Sequence, residues 1–273
     1  MRLALHNPYV LALAAVAALL VIAGLVWTVL APPAPPQLAM QIADARSVLD
    51  HARAQGRIHP LPYAVQIPKG DGVTTDERKT LFMAKLLPLI VAENDRISTQ
   101  RRQLLTTTIA PAQLNALGLA YGLKPKTTSK DSLLSRVDTL PVSLVLAQAA
   151  IESAWGTSRF AQDGNAYFGE RTFDPDAPGL TPKRASGFKV KSFDTAQLSV
   201  RSYMRTLNTH RAYSALRQRR AHLRAGNAPV LGPDLAQYLK DYSEIGNNYI
   251  LLIERTISGN DLYAFDQLLL STH

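Results

Sequence analysis

The first apolar pattern along the chain has no period. From Tyr9 to Ala31, "YVLALAAVAALLVIAGLVWTVLA" carries no charge, and at 1.5 Å per helical residue it is long enough to cross a hydrocarbon core. A helix that is apolar around its whole circumference belongs in a membrane or a large core. The run exceeds the ~7–15 residues of a simple signal-peptide core, and Pro32 follows its small-x-small site, Val29-Leu30-Ala31. It reads as a transmembrane anchor, with a cleaved signal or a buried core helix as the alternatives. Arg2 and the amino terminus are the only positive charges before Arg46. The positive-inside rule then puts the short N-terminus in the cytoplasm and the remainder outside it.

The pattern then breaks up and resumes with helical spacing. "APPAPPQ" (31–37) favours an extended polyproline spacer. Residues 40–56 carry a faint helical pattern, and "QGRIHPLPYAVQIPKGDG" (55–72), with three prolines and three glycines, reads as irregular linker. Thr74 and Glu77 then make a capping box, with Asp76 and Glu77 at the positive end of a helix. Its apolar stripe is Leu81, Met83, Leu86, Leu87, Ile90 and Val91, and Pro88 is expected to kink or interrupt it. Pro111 opens another helix that ends near Gly122, "SKDSLLSRVDTL" makes one more, and Pro141 starts "PVSLVLAQAAIESAWG".

From Gly164 to Phe193 the spacing changes to loops and short alternating pieces such as "GFKVKSF". Helical patterns return at 194–208, 212–224, 233–241, 247–258 and 261–270. Helices with one inserted lobe of small strands make an α+β domain, with a cleft expected between the two parts.

Composition removes whole classes of chemistry. Among 273 residues there is no cysteine, so disulfides, thiol nucleophiles and thiolate metal sites are excluded. Six scattered histidines form no close pair, and no metal or other cofactor is expected. The net charge is +9, and Thr195–Pro233 has no acid while holding Arg201, Arg205, Arg211, Arg217, Arg219, Arg220 and Arg224. That run reads either as a solvated helical face or as an attraction to an anionic wall or lipid surface. An exported chain without a nucleic-acid motif gives no reason to expect nucleic-acid binding.

The candidate chemistry centres on Glu152, a lone carboxylate among alanines near the end of a helix. Three- and four-residue spacing puts Leu144, Gln148, Ile151, Glu152 and Trp155 on adjoining parts of one face. A carboxyl desolvated by an indole and a packed helix has a raised pKa and can donate a proton near neutrality. A solvated glutamate paired with Arg159 is the plain alternative. Ser153 reads as a helix-end hydrogen bonder, since no His–Asp partner pattern accompanies it.

Three strings then carry a resemblance: "AQAAIESAWGTSRFAQDGNAYFGE", "FKVKSFDTAQLSVRSYMRTLNTHRAYSALR" and "YLKDYSEIGNNYILLIERTI". In this order they resemble the bacterial peptidoglycan β-N-acetylglucosaminidases of glycoside hydrolase family 73, and most of all the Bax-like branch, over roughly residues 75–270. The resemblance implies a lysozyme-like α+β fold acting on glycan strands. Glu152, in Glu-Ser-x-Trp-Gly, matches the family's general acid, which protonates the oxygen leaving from a β-1,4 bond after N-acetylglucosamine. Asn165, Phe168 and Gly169 match the loop after the catalytic helix, expected to line the cleft. Ala166-Tyr167 stands where many relatives have an asparagine or leucine pair, a departure at the cleft wall. Tyr242 matches the tyrosine near the acid, with Tyr249 as its companion; core packing is the alternative for Tyr242. Gln148, Trp155 and Tyr167 complete the expected substrate-binding set, with Trp155 divided equally between wall and core.

A second carboxylate is less legible. Glu170, beside the Phe-Gly loop, is preferred. Asp174 and Asp176 flank Pro175 like turn formers, and Asp194 reads as a helix N-cap. Assistance by the substrate's own acetamido group is the other route. The expected organisation is an anchor (1–31), a linker (32–73), a helical extension (74–130) and a catalytic domain (131–273). The expected partners are glycan strands, the cytoplasmic membrane through the anchor, and an unidentified regulatory protein. An inactive wall-binding scaffold and a lytic transglycosylase are the competing functions.

Overall fold

The computed structural model describes residues 40–60, 65–70, 72–183 and 187–271. The expected membrane helix at 9–31 and the polyproline segment lie outside them. Among the described residues no helix is long and apolar enough to cross a membrane.

One helix organises the rest. In α5 (Val142–Ser153) every residue from Val142 to Ala150 is buried, as expected of a helix that is apolar on all sides. Around it stand α2 (Thr75–Thr106), α9 (Gly232–Ala236), α10 (Asn247–Gly259) and a 3-10 turn at Leu262–Phe265. The long helix α2 starts at the expected box, with Thr74 N–H donating to Glu77 Oε2 at 2.8 Å and Glu77 N–H to Thr74 Oγ1 at 3.2 Å. It continues through Pro88 as one helix. Leu86, Leu87, Pro88, Ile90 and Val91 are all buried there, so packing on both sides of the proline outweighs the one backbone hydrogen bond it lacks.

Helix α2 shares one hydrophobic core with α5, so the segment expected as an extension, 74–130, is continuous in packing with 131–273. Within the expected linker, α1 (Ile42–Gln55) lays Ala45, Leu49 and Ala52 against α2. After it, β1 (Arg57–Ile58) pairs in parallel with β5 (Leu269–Leu270). The helix expected over 261–270 is therefore a 3-10 turn followed by a strand. Its partner lies two hundred residues earlier, beyond any local periodicity.

Helices α3 (Pro111–Ala120) and α4 (Lys130–Leu134) precede α5, and α6 (Arg159–Gly164) leads into the lobe. There β2 (Arg171–Thr172), β3 (Gly179–Leu180) and β4 (Lys189–Lys191) form an antiparallel sheet in the order β2-β4-β3. A Cβ at Gly179 would stand 2.8 Å from Val190 O, so glycine is required for the strands to close. Helices α7 (Ala196–Thr209) and α8 (Ser214–Ala225) return the chain to the helical part. The fold is mainly helical α+β, as expected.

The acid-free arginine run is not a single solvated face. Arg217 and Arg220 are buried, and both cap carbonyls: Arg217 reaches Leu207 O at 3.0 Å and His210 O at 2.9 Å, and Arg220 reaches Asp138 O at 3.1 Å. Guanidiniums there satisfy carbonyls at the end of α7 and in the loop before α5 that would otherwise lie orphaned. Burial lowers the pKa of each to about 10, still charged at neutrality. Arg201 pairs with Glu93, Arg219 with Asp234 and Arg224 with Asp138. The acids come from other segments, which is why a local charge count misread the run.

Candidate active site

Between the lobe and the helices lies a groove of about 810 Å³, lined by Glu152, Gly169, Glu170, Arg171, Lys191, Thr206, His210, Tyr213, Tyr242, Ser243, Glu244 and Ile245. That volume is in the range of small-molecule and oligomer sites. Helix α5 delivers Glu152 and ends one residue later. Ala154, Trp155 and Gly156 take φ of 51°, 55° and 78°, turning the chain sharply. Ser153 holds this turn as expected, donating to Ala149 O at 2.5 Å and accepting from Gly156 N–H at 2.8 Å.

The early helix end moves Trp155 off the face of Glu152. Its indole meets the edge of Phe82 at 5.3 Å, with the Lys79 ammonium 5.2 Å from its centroid. It is not among the groove's lining residues, so the core reading of Trp155 is the one that holds. The shielding of Glu152 comes from elsewhere.

Glu152 is half-buried, and burial pushes its carboxyl above the ordinary glutamate value; a hydrogen bond from Tyr249 and the positive charge of Arg171 pull the other way. Tyr249, in the first turn of α10, donates to Glu152 Oε1 at 2.7 Å. Behind it Gln148 Nε2 donates to the Tyr249 oxygen at 3.0 Å, and Tyr203 donates to Gln148 Oε1. Gln148, Tyr203 and Tyr249 are all buried. Gln148 therefore stands behind the acid and not in the groove, and burial raises the pKa values of Tyr203 and Tyr249 so that both stay protonated donors.

The other oxygen of Glu152 faces Gly169. That glycine has φ +63°, and a Cβ on it would come within 3.3 Å of Oε2. Both backbone conformation and proximity favour glycine there. Tyr242 is at the groove, stacked on Tyr249 at 5.8 Å with its hydroxyl donating to Phe168 O at 2.6 Å. It borders the groove and braces the Phe168 carbonyl at once.

Glu170 lines the same groove. Its side chain is 8% exposed; Oε1 accepts from Thr206 Oγ1 at 2.9 Å and lies 3.6 Å from Lys191 Nζ, while Oε2 is buried without a partner. The rejected carboxylates are elsewhere. Asp174 Oδ1 accepts from Asp176 N–H at 2.9 Å in a turn, and Asp194 is exposed, with Thr195 taking the N-cap role expected of it.

Three further expected wall residues are structural. Phe168 is buried and stacks on Tyr203 at 4.0 Å. Tyr167 is buried, with its phenol pushed up to about 12 by burial. Asn165 takes φ 49° and donates to Phe193 O at 3.0 Å, tying the two ends of the lobe. Of the expected set, Glu152, Gly169, Glu170 and Tyr242 line the groove, and Gln148 and Tyr249 support it from behind.

The sequence reading missed Arg171, Lys191, Tyr203, Thr206, His210, Tyr213 and Glu244. A signal existed for four of them. Residues 203, 206, 210 and 213 recur at three- and four-residue steps in "YMRTLNTHRAY", one helical stripe of hydroxyls and an imidazole. Arg171 and Glu244, 3.5 Å apart on the rim, carry no such periodicity. Among the described residues no cluster of three metal-ligating side chains occurs.

A helical α+β domain presents two shielded carboxyls to one groove, the pair that glycoside hydrolysis calls for. The family model described as "Glucosaminidase: Mannosyl-glycoprotein endo-beta-N-acetylglucosaminidase" matches residues 128–251, a stretch that holds every residue lining the groove. The chain is 30% identical over 214 residues to Protein bax of Escherichia coli (strain K12), covering 73% of this chain and 74% of that one. No solved structure matches it. The chain belongs to the Bax-like glucosaminidase family.

Proposed function

We propose that this protein is a peptidoglycan hydrolase that cleaves the β-1,4 bond after N-acetylglucosamine, working in a lysozyme-like cleft with Glu152 as general acid. The observation that carries the reading is the division of labour on one carboxyl. Oε1 of Glu152 is occupied by the Tyr249 proton, so an acid proton belongs on Oε2, beside Gly169 and the groove. Burial pushes its pKa above the ordinary glutamate value and so favours the protonated form. In the reaction that proton passes to the leaving oxygen as the C1–O4 bond breaks, and water adds at C1. Glu170 is the second carboxylate, lining the same groove to steady the positive sugar ring, while the ionised Glu152 takes the water's proton. Arg171 and Lys191 give the groove cations beside an anionic, peptide-bearing polymer.

The uncharged run at 9–31 supports a single-pass anchor in the inner membrane, with the catalytic domain in the periplasm. The test is digestion of isolated sacculi by the full-length chain, with products weighed by mass spectrometry. Reducing N-acetylglucosamine ends, absent with Glu152→Gln, are the expected result. Anhydro-muramyl ends would mean transglycosylation, and bound sacculi without fragments would mean a scaffold.

A further inference from the structure

Behind Glu152 the hydrogen bonds form a chain in which each donor fixes the next: Tyr203 to Gln148, Gln148 to Tyr249, Tyr249 to Glu152. Each tyrosine hydroxyl has one proton, and an amide has a donating and an accepting end. The chain therefore has two self-consistent arrangements. In the first, the observed one, Tyr249 gives its proton to Glu152 Oε1, and a protonated Glu152 carries its own proton on Oε2 at the groove. In the second, the amide of Gln148 is turned over: Glu152 Oε1 donates to Tyr249, Tyr249 to Gln148 Oε1, and Gln148 Nε2 to Tyr203. The second arrangement hides the acid proton behind the groove wall.

The far end of the chain decides between them. Tyr203 is fully buried, and among the described residues its hydroxyl has Gln148 as its one hydrogen-bond partner. In the second arrangement Tyr203 accepts from the amide, and its own proton is left buried without an acceptor, which is costly. The stack of Phe168 on Tyr203 and the contact of Tyr242 with it, at 4.0 and 6.0 Å between centroids, hold the ring in place.

We propose that Tyr203 and Gln148 are positioning residues that fix the acid proton of Glu152 on the groove-facing oxygen. This rests on the proposed role of Glu152 as general acid. Tyr203 lies on α7 and Gln148 one helical turn before the acid; neither lines the groove.

Tyr203→Phe in the full-length chain tests it, since it removes one hydroxyl and keeps the stacked ring. Without that hydroxyl the second arrangement loses its penalty. The protonated carboxyl gains an acceptor, and Tyr249, no longer polarised from Tyr203 through Gln148, donates more weakly to the ionised form, so both effects raise the titration of Glu152. The expected result is a kcat lower by about tenfold or more, KM within about twofold, and an alkaline limb of kcat moved up by about one pH unit, a tenfold change in the proton equilibrium. Difference infrared titration against Glu152→Gln reads the same upward move without any turnover. Should Tyr203→Phe fail to fold, Gln148→Leu removes the donor that polarises Tyr249, weakens its hydrogen bond to the ionised carboxylate and must move the titration upward too. A folded variant whose Glu152 titrates as in the wild type overturns the inference, even if activity falls, because only a structural role remains. A wild-type chain that titrates as described but releases no fragments overturns the hydrolase reading and leaves the relay standing.

Discussion

Asp138 and Glu152 lie on either side of the start of α5, and their surroundings are opposites. Asp138 is buried among cations. Its Oδ2 lies 2.7 Å from Arg224 Nε, 3.4 Å from Arg220 Nε and 3.8 Å from Arg101 Nη1, while Oδ1 accepts from Thr139 N–H at 2.8 Å. Three guanidiniums answer one oxygen of that carboxylate and a backbone N–H answers the other. Glu152 is answered by a phenol, a glycine and a groove, with the nearest influential cation, Arg171, half-exposed on the rim. The first environment locks a charge in place; the second leaves a proton that can come and go. On the proposed reading the same residue class is a strut in one place and a reagent in the other, and the number of guanidiniums separates the two.

The sharpest break of that contrast is a pair of substitutions read in both assays. Glu152→Gln is expected to cut glycan hydrolysis by roughly 10²–10⁴-fold, with thermal stability at neutral pH unchanged or higher, because a shielded carboxyl is removed and Tyr249 keeps an acceptor. Asp138→Ala is expected to do the reverse. It leaves guanidiniums buried without their counter-charge and should cost about 3–5 kcal/mol in chemical denaturation, while the folded fraction retains its specific activity. If both variants lose activity and stability together, the distinction fails.

A smaller effect probes the proton-bearing side of Glu152. Gly169→Ala forces a side chain into left-handed backbone and against Oε2, and should cost about 1–2 kcal/mol, with a loss of kcat larger than the loss of stability explains. Steady-state kinetics beside a melting curve separates the two.

The pH dependence sharpens the comparison further. Glu152 has a raised folded value, so its stabilising share is complete below the ordinary glutamate pKa and is lost as pH rises through the folded one. The activity that needs its proton falls over the same window. Denaturation at acid and alkaline pH, wild type against Glu152→Gln, should show this slope in the wild type alone. The smallest effect belongs to Arg171→Gln. Removing a cation that holds the value down moves the alkaline limb of activity upward, modestly because Arg171 is half-exposed.

Much of this was legible without coordinates where local physics governs. The capping box at Thr74 and Glu77, the mostly apolar helix α5, the glycine-bearing lobe and the candidacy of Glu152 follow from spacing and composition, and the family resemblance adds Gly169, with Glu170 beside it. Each depends on neighbours within a few residues in the chain. Where a turn cut a helix short or two distant segments had to meet, the reading failed. Helical spacing continued past Ser153 puts Trp155 on the face of Glu152, whereas three left-handed residues end the helix. Arg217 and Arg220 looked like part of a surface charge because their carbonyl partners and Asp138 belong to other elements.

The chain alone determined that a carboxylate would end an apolar helix ahead of a glycine loop, since periodicity and turn chemistry are properties of short stretches. Tertiary structure decided what that carboxylate would touch. Tyr203, Gln148 and Tyr249 come from three different helices, and the direction of their hydrogen bonds exists only once packing has sealed all three from water. Desolvation is a sum over everything nearby in space, and no window along the sequence contains that sum.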